Sequence, residues 1–146
     1  MILFTGMIFI SCDNNKKSST TQTAKVYVAN EEGGSVSVID LEDSLKNTSI
    51  DISDSGKMFM AHNVQVAPDG KTVWVTAVPM DSTAINQLVV IDINTGTIKN
   101  RVQLGKDLHV AHVVLDNESK YVFVTDRKST RLNSSHPVSS RMPSSA

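Results

Sequence analysis

The chain has 146 residues, a length typical of one domain, and 40% of them are hydrophobic, 20% are charged and the formal net charge is −1. With no basic stripe and only 5% aromatic residues, nothing in the sequence indicates a nucleic-acid partner. The motifs of a phosphate-binding loop, a metalloprotease helix and a nucleophile elbow are also missing, so we predict no catalytic residue and favour a non-enzymatic role.

The first twelve residues form an almost continuous apolar run that ends at Cys12. The run is shorter than the about 20 residues of a membrane-spanning helix, but it has the length of the hydrophobic part of a secretory signal peptide. Its end, "FISC", resembles a bacterial lipobox, in which the cysteine is freed by cleavage and lipidated. We therefore predict a lipoprotein signal peptide over 1–12, with lipid attached at Cys12, and a place in the bacterial cell envelope, outside the cytoplasmic membrane. The alternative is a free thiol beside a buried apolar segment.

Both segments that flank the middle of the chain are polar. Residues 13–23, "DNNKKSSTTQT", have too few apolar groups to fold, so we predict a flexible tether. Residues 128–146 are rich in serine, show no apolar periodicity and are predicted to be disordered. From Ser129 they resemble translated sequencing-adapter sequence, so we expect the tail to be non-native and native sequence to end near Arg127. A native disordered tail is the alternative.

The middle of the chain repeats. One motif of alternating apolar residues around an aromatic residue occurs three times: "AKVYVAN" at 24–30, "KTVWVTA" at 71–77 and "KYVFVTD" at 120–126. The aromatic residues of successive copies are 47 and 49 residues apart. A second motif, "SVSVIDL" at 35–41, matches "QLVVIDI" at 87–93, with Asp40 and Asp92 in register. Elements that keep their order and spacing in this way indicate an array of similar units.

Each unit is interpreted as four short antiparallel strands. In the one complete unit the predicted strands are 62–67, 71–77, 87–93 and 97–104. The turn "APDG" separates the first two strands and "INTG" the last two, where Gly96 can take a positive φ. Four antiparallel strands in 40–50 residues are typical of a β-propeller blade. We therefore predict an all-β fold, a partial β-propeller of about two four-stranded blades, with blades at 24–52 (partial), 62–105 (complete) and 109–127 (partial).

The repeated side chains are predicted to serve the scaffold. Val73, Val75, Val90 and Ile91 are expected to pack between blades, and Trp74 to pack on the face opposite Val73 and Val75. Asp40 and Asp92 end equivalent strands, so we predict turn-forming roles for these two carboxylates rather than a catalytic pair. The first unit lacks its innermost strand, which we expect the C-terminus of a longer protein to supply.

The motifs are similar to those of the YVTN family of bacterial β-propeller repeats. Units of that family run from proline-histidine-glycine-valine through a serine-proline-aspartate-glycine turn and tyrosine-valine-threonine-asparagine to valine-isoleucine-aspartate. The resemblance covers about residues 24–127, with "LDNESK" in place of the proline-aspartate-glycine turn of the third unit. It implies a secreted or surface-exposed propeller, usually of seven blades, and no single activity. Seven such units need roughly 300–350 residues, so we expect a fragment of a longer propeller.

Three histidines are the candidate ligand residues: His62 at the start of one inner strand, and His109 and His112 in the next. Inner strands line the central channel of a propeller, and neutral imidazole binds copper, zinc or haem iron. The match of His62 to the histidine of the family repeat implies a structural hydrogen bond instead. On a regular strand His109 and His112 face opposite sides, so they can share one metal ion only across a bulge.

Two functions follow as hypotheses. The preferred one is a lipid-anchored propeller fragment that binds an unidentified protein or small molecule, touches the membrane only through its lipid and needs no cofactor. The alternative is a redox or metal-binding propeller with copper or haem, in which His62 contributes a ligand together with His109 or His112. The resemblance to the propellers of nitrous oxide and nitrite reductases, which use histidines at the channel mouth, supports that alternative.

Overall fold

The structure is a computed structural model that describes residues 24–127 and 139–143. All ten elements named within them are β-strands, in agreement with the predicted all-β fold. In chain order they are β1 (Lys25–Asn30), β2 (Ser35–Asp40), β3 (Asn47–Asp51), β4 (Phe59–Val66), β5 (Thr72–Pro79), β6 (Asn86–Asp92), β7 (Thr97–Gly105), β8 (Val110–Leu115), β9 (Tyr121–Asp126) and β10 (Ser139–Pro143). The predicted lipidation site Cys12 and the tether 13–23 lie outside the described residues, which contain no helix long and apolar enough to cross a membrane.

The strands form three antiparallel meanders, which we call blades 1, 2 and 3. Their strand orders are β1-β2-β3, β4-β5-β6-β7 and β8-β9-β10. Blade 2 is the complete four-stranded unit that the repeat predicts, although its inner strand begins at Phe59 rather than at His62. The fold is therefore a partial β-propeller of consecutive blades.

The third strand of blade 3 comes from the serine-rich tail. Where the sequence predicts disorder, the backbone of Ser139–Pro143 pairs antiparallel with β9, from Ser139↔Thr125 to Pro143↔Tyr121. Composition does not reveal this pairing, because a strand edge offers backbone groups that an added strand of almost any sequence can bind. Residues 128–138 and 144–146 lie outside the described residues.

Both faces of blade 2 are buried, as the alternating pattern predicts. One face meets blade 1 through a cluster that includes Val73, Val75 and Ile91. The opposite face meets blade 3 through a cluster that includes Trp74 and Val90. Val90 and Ile91 thus pack at two different blade junctions. Each fully buried aliphatic side chain contributes about 1.5–3 kcal/mol, so these two junctions provide most of the apolar stabilisation.

The turns between the first two strands of blades 2 and 3 have the same backbone form despite different sequences. Gly70 has φ 68° in "APDG", and Ser119 has φ 56° at the equivalent place in "LDNESK". In the second turn the Asp116 carboxylate accepts the backbone N–H groups of Lys120 and Tyr121, at 2.7 and 2.9 Å. These bonds hold a serine in a left-handed conformation that glycine adopts more readily.

Candidate functional site

The inner strands β4 and β8 each carry a β-bulge. In β4 the pairing passes from Ala61↔Ala77 to Asn63↔Thr76, so His62 is the extra residue. In β8 the pairing passes from Val110↔Asp126 to Val113↔Val124. Bulges re-aim side chains and are frequent beside functional sites. The two bulged segments, around His62 in β4 and between Val110 and Val113 in β8, are therefore the candidate functional site.

The register places the histidines relative to one another. The pairs Val64↔Val75 and Val113↔Val124 occupy equivalent positions, so Asn63 and His112, which precede Val64 and Val113, are equivalent as well. This agrees with the alignment of the two inner strands, which puts His112 one step beyond His62. His109 lies just before β8 instead of within it, because the strand begins at Val110.

His62 binds a carboxylate of the neighbouring blade. Its Nδ1 lies 2.7 Å from Oε1 of Glu31, which follows β1 of blade 1, and the side chains are 23% and 54% exposed. When Nδ1 carries the proton and donates to Glu31, Nε2 keeps its lone pair and can accept a hydrogen bond or bind a metal ion. The contact thus orients the imidazole, and in that tautomer Nε2 is the nitrogen left for a ligand.

The other two histidines are held through their backbones. The His109 N–H donates to Oδ1 of Asp126 at 2.8 Å, and the His112 N–H donates to Oγ1 of Thr125 at 3.1 Å. Both side chains are exposed. Within the part of the chain that the structure describes, no group of three or more histidine, cysteine, aspartate or glutamate residues could hold a metal ion.

Two polar bonds that the sequence did not predict fix the bulge of β8 against blade 2. Thr76 Oγ1 donates to the carbonyl oxygen of Ala111 at 2.8 Å, and the Val113 N–H donates to Asn63 Oδ1 at 3.0 Å. The sequence feature that could have pointed to the first of these bonds is the threonine that follows the valine-aromatic-valine motif in blades 2 and 3. Blade 1 has Ala29 at that place, and there the Glu31–His62 contact spans the junction with blade 2.

An arginine holds the segment that connects blades 1 and 2. Arg101 donates to the carbonyl oxygens of Ile52 and Ser53, at 3.1 and 2.8 Å, and to Oε1 of the buried Gln87 at 3.0 Å. The Gln87 amide in turn donates to Asp54 at 3.1 Å, which lowers the pKa of that carboxyl. The network fixes the first residues of the connection between blades 1 and 2.

The repeated aspartates form turns, as predicted. Oδ1 of Asp40 accepts the backbone N–H groups of Glu42 and Asp43, and Oδ1 of Asp92 accepts those of Asn94 and Thr95. The Thr95 N–H is the main cause of the lowered pKa of Asp92. These bonds engage the carboxylate oxygens in the local backbone, which explains why the two aspartates recur in the repeat.

A groove of about 470 Å³, lined by polar residues and by Met58 and Phe59, lies next to the turn that carries Glu31. Residues 33 and 34 of that turn and Ser35 at the start of β2 line one part of it, and Ser49, Asp51 and Ser53 another. The backbone and side chain of Ser53 donate to Asp51 at 2.8 and 2.9 Å, and these bonds lower the pKa of Asp51. A carboxylate and three hydroxyl groups suit a small ligand that donates hydrogen bonds or carries positive charge.

Comparisons with known proteins find a likeness at the level of structure. No protein-family profile matches the sequence, and no curated protein matches it. Among solved structures the chain is similar to Kuenenia stuttgartiensis hydrazine synthase, with 20% sequence identity and a TM-score of 0.40, over 70% of this chain and 40% of that chain. The chain therefore spans less than half the length of that protein, and the blade assignment rests on strand order, register and packing.

Proposed function

We propose that the chain is part of a β-propeller that serves as a binding or interaction module, with its ligand site at the bulges of the inner strands. The observation that carries the proposal is the 2.7 Å contact between His62, the bulged residue of β4, and Glu31 of the preceding blade. The pair lies across a blade junction and stays accessible to solvent, with His62 23% and Glu31 54% exposed, so a ligand can reach its polar atoms.

The chemistry of the site favours a small polar ligand or a protein loop that donates hydrogen bonds. Nε2 of His62 is an acceptor when Glu31 holds the proton on Nδ1. The Asp51 carboxylate in the neighbouring groove adds a second acceptor and a negative charge. A ligand with an amine or several hydroxyl groups meets both requirements.

We also propose that the module is tethered to a membrane outside the cytoplasm by lipid on Cys12. The support is the order of the sequence: an apolar run, a small residue, the cysteine and then the polar tether 13–23. A Cys12→Ser variant expressed in a bacterium should move from the membrane fraction to the soluble fraction. Unchanged membrane retention of this variant contradicts lipid anchoring.

A metal or haem site is the second candidate, and one observation favours it. Histidines that ligate metals usually donate the N–H of their other ring nitrogen to a carboxylate, a backbone carbonyl or a water molecule, and Nδ1 of His62 faces the Glu31 carboxylate in this way. Copper or haem iron would then bind to Nε2 of His62 and supply electron transfer. His109, His112 or residues of further blades would provide the remaining ligands.

Calorimetric titration of the full chain separates the two functions. Stoichiometric binding of Cu²⁺ or haem that is lost in His62→Ala supports the metal site when it is retained in the control His136→Ala, which removes a histidine of the serine-rich tail. For the binding module, we expect ligand-observed NMR with a set of small amines and polyols to find ligands that bind the full chain and no longer bind Glu31→Ala. Binding that is equal in Glu31→Ala and in the control Lys99→Ala contradicts that proposal.

A further inference from the structure

A second pocket, of about 270 Å³, lies at the junction of blades 1 and 2. The turn between β6 and β7, residues 93–96, lines its blade 2 side. On the blade 1 side the lining includes a row of register partners across the three strands and a lysine at the start of β1: Tyr27, Val38, Thr48 and Lys25. Neither Glu31 nor His62 is among the described residues that line this pocket, so it is separate from the site at the bulges.

The aromatic residue of this row differs from its equivalents in the other blades. Tyr27 corresponds to Trp74 in the pairing of the two strands of each blade, and to Phe123 in the repeated motif. The Trp74 ring N–H donates to Oγ1 of Thr72 at 3.0 Å, so the polar atom of this buried side chain is satisfied within the protein. Tyr27 is only partly buried, and its hydroxyl has no hydrogen-bond partner among the residues that the structure describes.

A second difference from the repeat lies two residues before this tyrosine. Lys25 is opposite Asp40 in the register, just as Thr72 is opposite Asp92. Where Thr72 accepts the ring N–H of its own blade, Lys25 brings an ammonium group, which forms no ion pair with any described residue, Asp40 included. Blade 1 thus has an unpartnered hydroxyl and an unpartnered cation at one pocket, where blade 2 has a closed internal bond. A ligand explains both differences, because the scaffold of the other blades needs neither group.

The lining of the pocket combines hydrogen-bond donors with apolar surface. Burial raises the pKa of the Tyr27 phenol, so the hydroxyl keeps its proton and can donate. The Lys25 ammonium adds further donors and a positive charge. The apolar part of the lining comes from Val38, Ile50 and Ile93, and the remaining polar part from Thr48, Ser49, Asn94 and Thr95. Pockets for small molecules typically have this composition, with apolar walls and a few polar groups that orient the ligand.

We propose that this pocket binds an acidic sugar, a hexuronate unit whose carboxylate accepts hydrogen bonds from Lys25 and Tyr27. The two donors require an anion, and the hydroxyl and amide groups of the lining require a ligand with several hydroxyl groups. The tyrosine ring and the aliphatic side chains require an apolar surface, which the C–H face of a sugar ring provides. A neutral sugar leaves the ammonium without a partner, and an aliphatic acid leaves the hydroxyl groups without one. The proposal goes beyond the function assigned to the bulges, because it adds a second site with a ligand of its own.

The repeat itself supplies the variants for the test. Lys25→Thr and Tyr27→Phe introduce the residues that blades 2 and 3 have at the equivalent positions, so both variants should fold. In an NMR titration of the isotope-labelled full chain with glucuronate, each should weaken binding by about tenfold, because each removes a donor to the carboxylate. The matched controls Lys46→Thr and Tyr121→Phe change the same residue types outside the pocket and should leave the affinity unchanged.

The same titration locates the site and tests the charge of the ligand. Glucuronate should shift the amide signals of residues 25–27 and 93–96 and leave those of β8 in place. Glucose, which lacks the carboxylate, should bind at least tenfold more weakly. Glu31→Ala should leave glucuronate binding unchanged, so failure of this proposal and failure of the site at the bulges can be told apart. No saturable binding to the folded wild-type chain, equal affinity for the two sugars, or wild-type affinity in Lys25→Thr and Tyr27→Phe overturns the proposal.

Discussion

Thr76 Oγ1 donates a 2.8 Å hydrogen bond to the carbonyl oxygen of Ala111, and both residues are fully buried at the junction of blades 2 and 3. The acceptor belongs to the bulged part of β8, where pairing with β9 is interrupted. A bulge leaves backbone groups without a partner in its own sheet. The threonine of one blade therefore satisfies the backbone of the next, and polar bonds as well as apolar contacts link successive blades.

Thr76→Val should destabilise the chain by about 1–3 kcal/mol, because the valine keeps the shape of the side chain but leaves the buried Ala111 carbonyl without its donor. Thr48→Val is the control, since Thr48 is an exposed threonine of the outer strand β3, away from this junction. Urea unfolding of both variants checks the prediction. Equal losses of unfolding free energy in the two variants would show that the bond across the junction contributes little.

Ser119→Gly should stabilise the chain by up to about 1 kcal/mol, because glycine adopts the φ of 56° at this position without the steric cost that serine has. The gain is reduced by the loss of the Ser119 hydroxyl, which accepts the Asp69 N–H at 3.2 Å. Gly70→Ser is the reverse substitution at the equivalent turn and should lower the thermal midpoint of the chain. Thermal midpoints of the two variants that move in the same direction contradict this account.

Repetition made the scaffold predictable from the sequence. The alternation around Trp74 and its spacing from Tyr27 and Phe123 predicted strands, blades and two buried faces, because packing between similar units imposes the same side-chain pattern on each. The turn roles of Asp40 and Asp92 followed from their positions after equivalent strands. Features that every blade needs leave a periodic signal.

The candidate site could be predicted only in part, because its contacts do not repeat. His62 was recognised as a candidate, but its partner Glu31 is 31 positions away in a turn whose sequence recurs in no other blade. Both bulges were also missed, since one extra residue in a strand of alternating side chains changes the pairing without a distinct residue type. Arg101 likewise acts through backbone carbonyls, and these leave no trace in the sequence of their segment.

Arg101→Ala should destabilise the chain by about 1–3 kcal/mol, because it removes three donated bonds and leaves the buried Gln87 oxygen without a donor. Lys99→Ala, an exposed cation two residues away on the same strand, is the control and should change stability by less than about 0.5 kcal/mol. Hydrogen exchange should also quicken at residues 52–57 in Arg101→Ala alone. Unchanged exchange in this segment would show that other contacts hold it.

Acid should destabilise the chain through its turn aspartates. The pKa values of Asp51, Asp54, Asp81 and Asp92 lie below the ordinary value of 3.8, mainly because neighbouring N–H and O–H groups donate to the carboxylates. A carboxyl with a lower pKa in the folded state binds protons more readily when unfolded. Its contribution to the free energy of unfolding is therefore complete above pH 3.8, and that contribution is lost as the pH falls through the pKa of the folded state.

Asp92→Asn isolates one of these contributions, because asparagine keeps a side-chain oxygen for the N–H groups of Asn94 and Thr95 but does not titrate. We expect the urea midpoint of this variant to fall less steeply than that of the wild type as the pH is lowered below 3.8. The two proteins should show parallel behaviour at higher pH, where the Asp92 carboxyl is ionised in both the folded and unfolded states. Identical slopes in acid would mean that Asp92 binds protons equally well in the folded and unfolded chain, and that its turn bonds provide no pH-dependent stability.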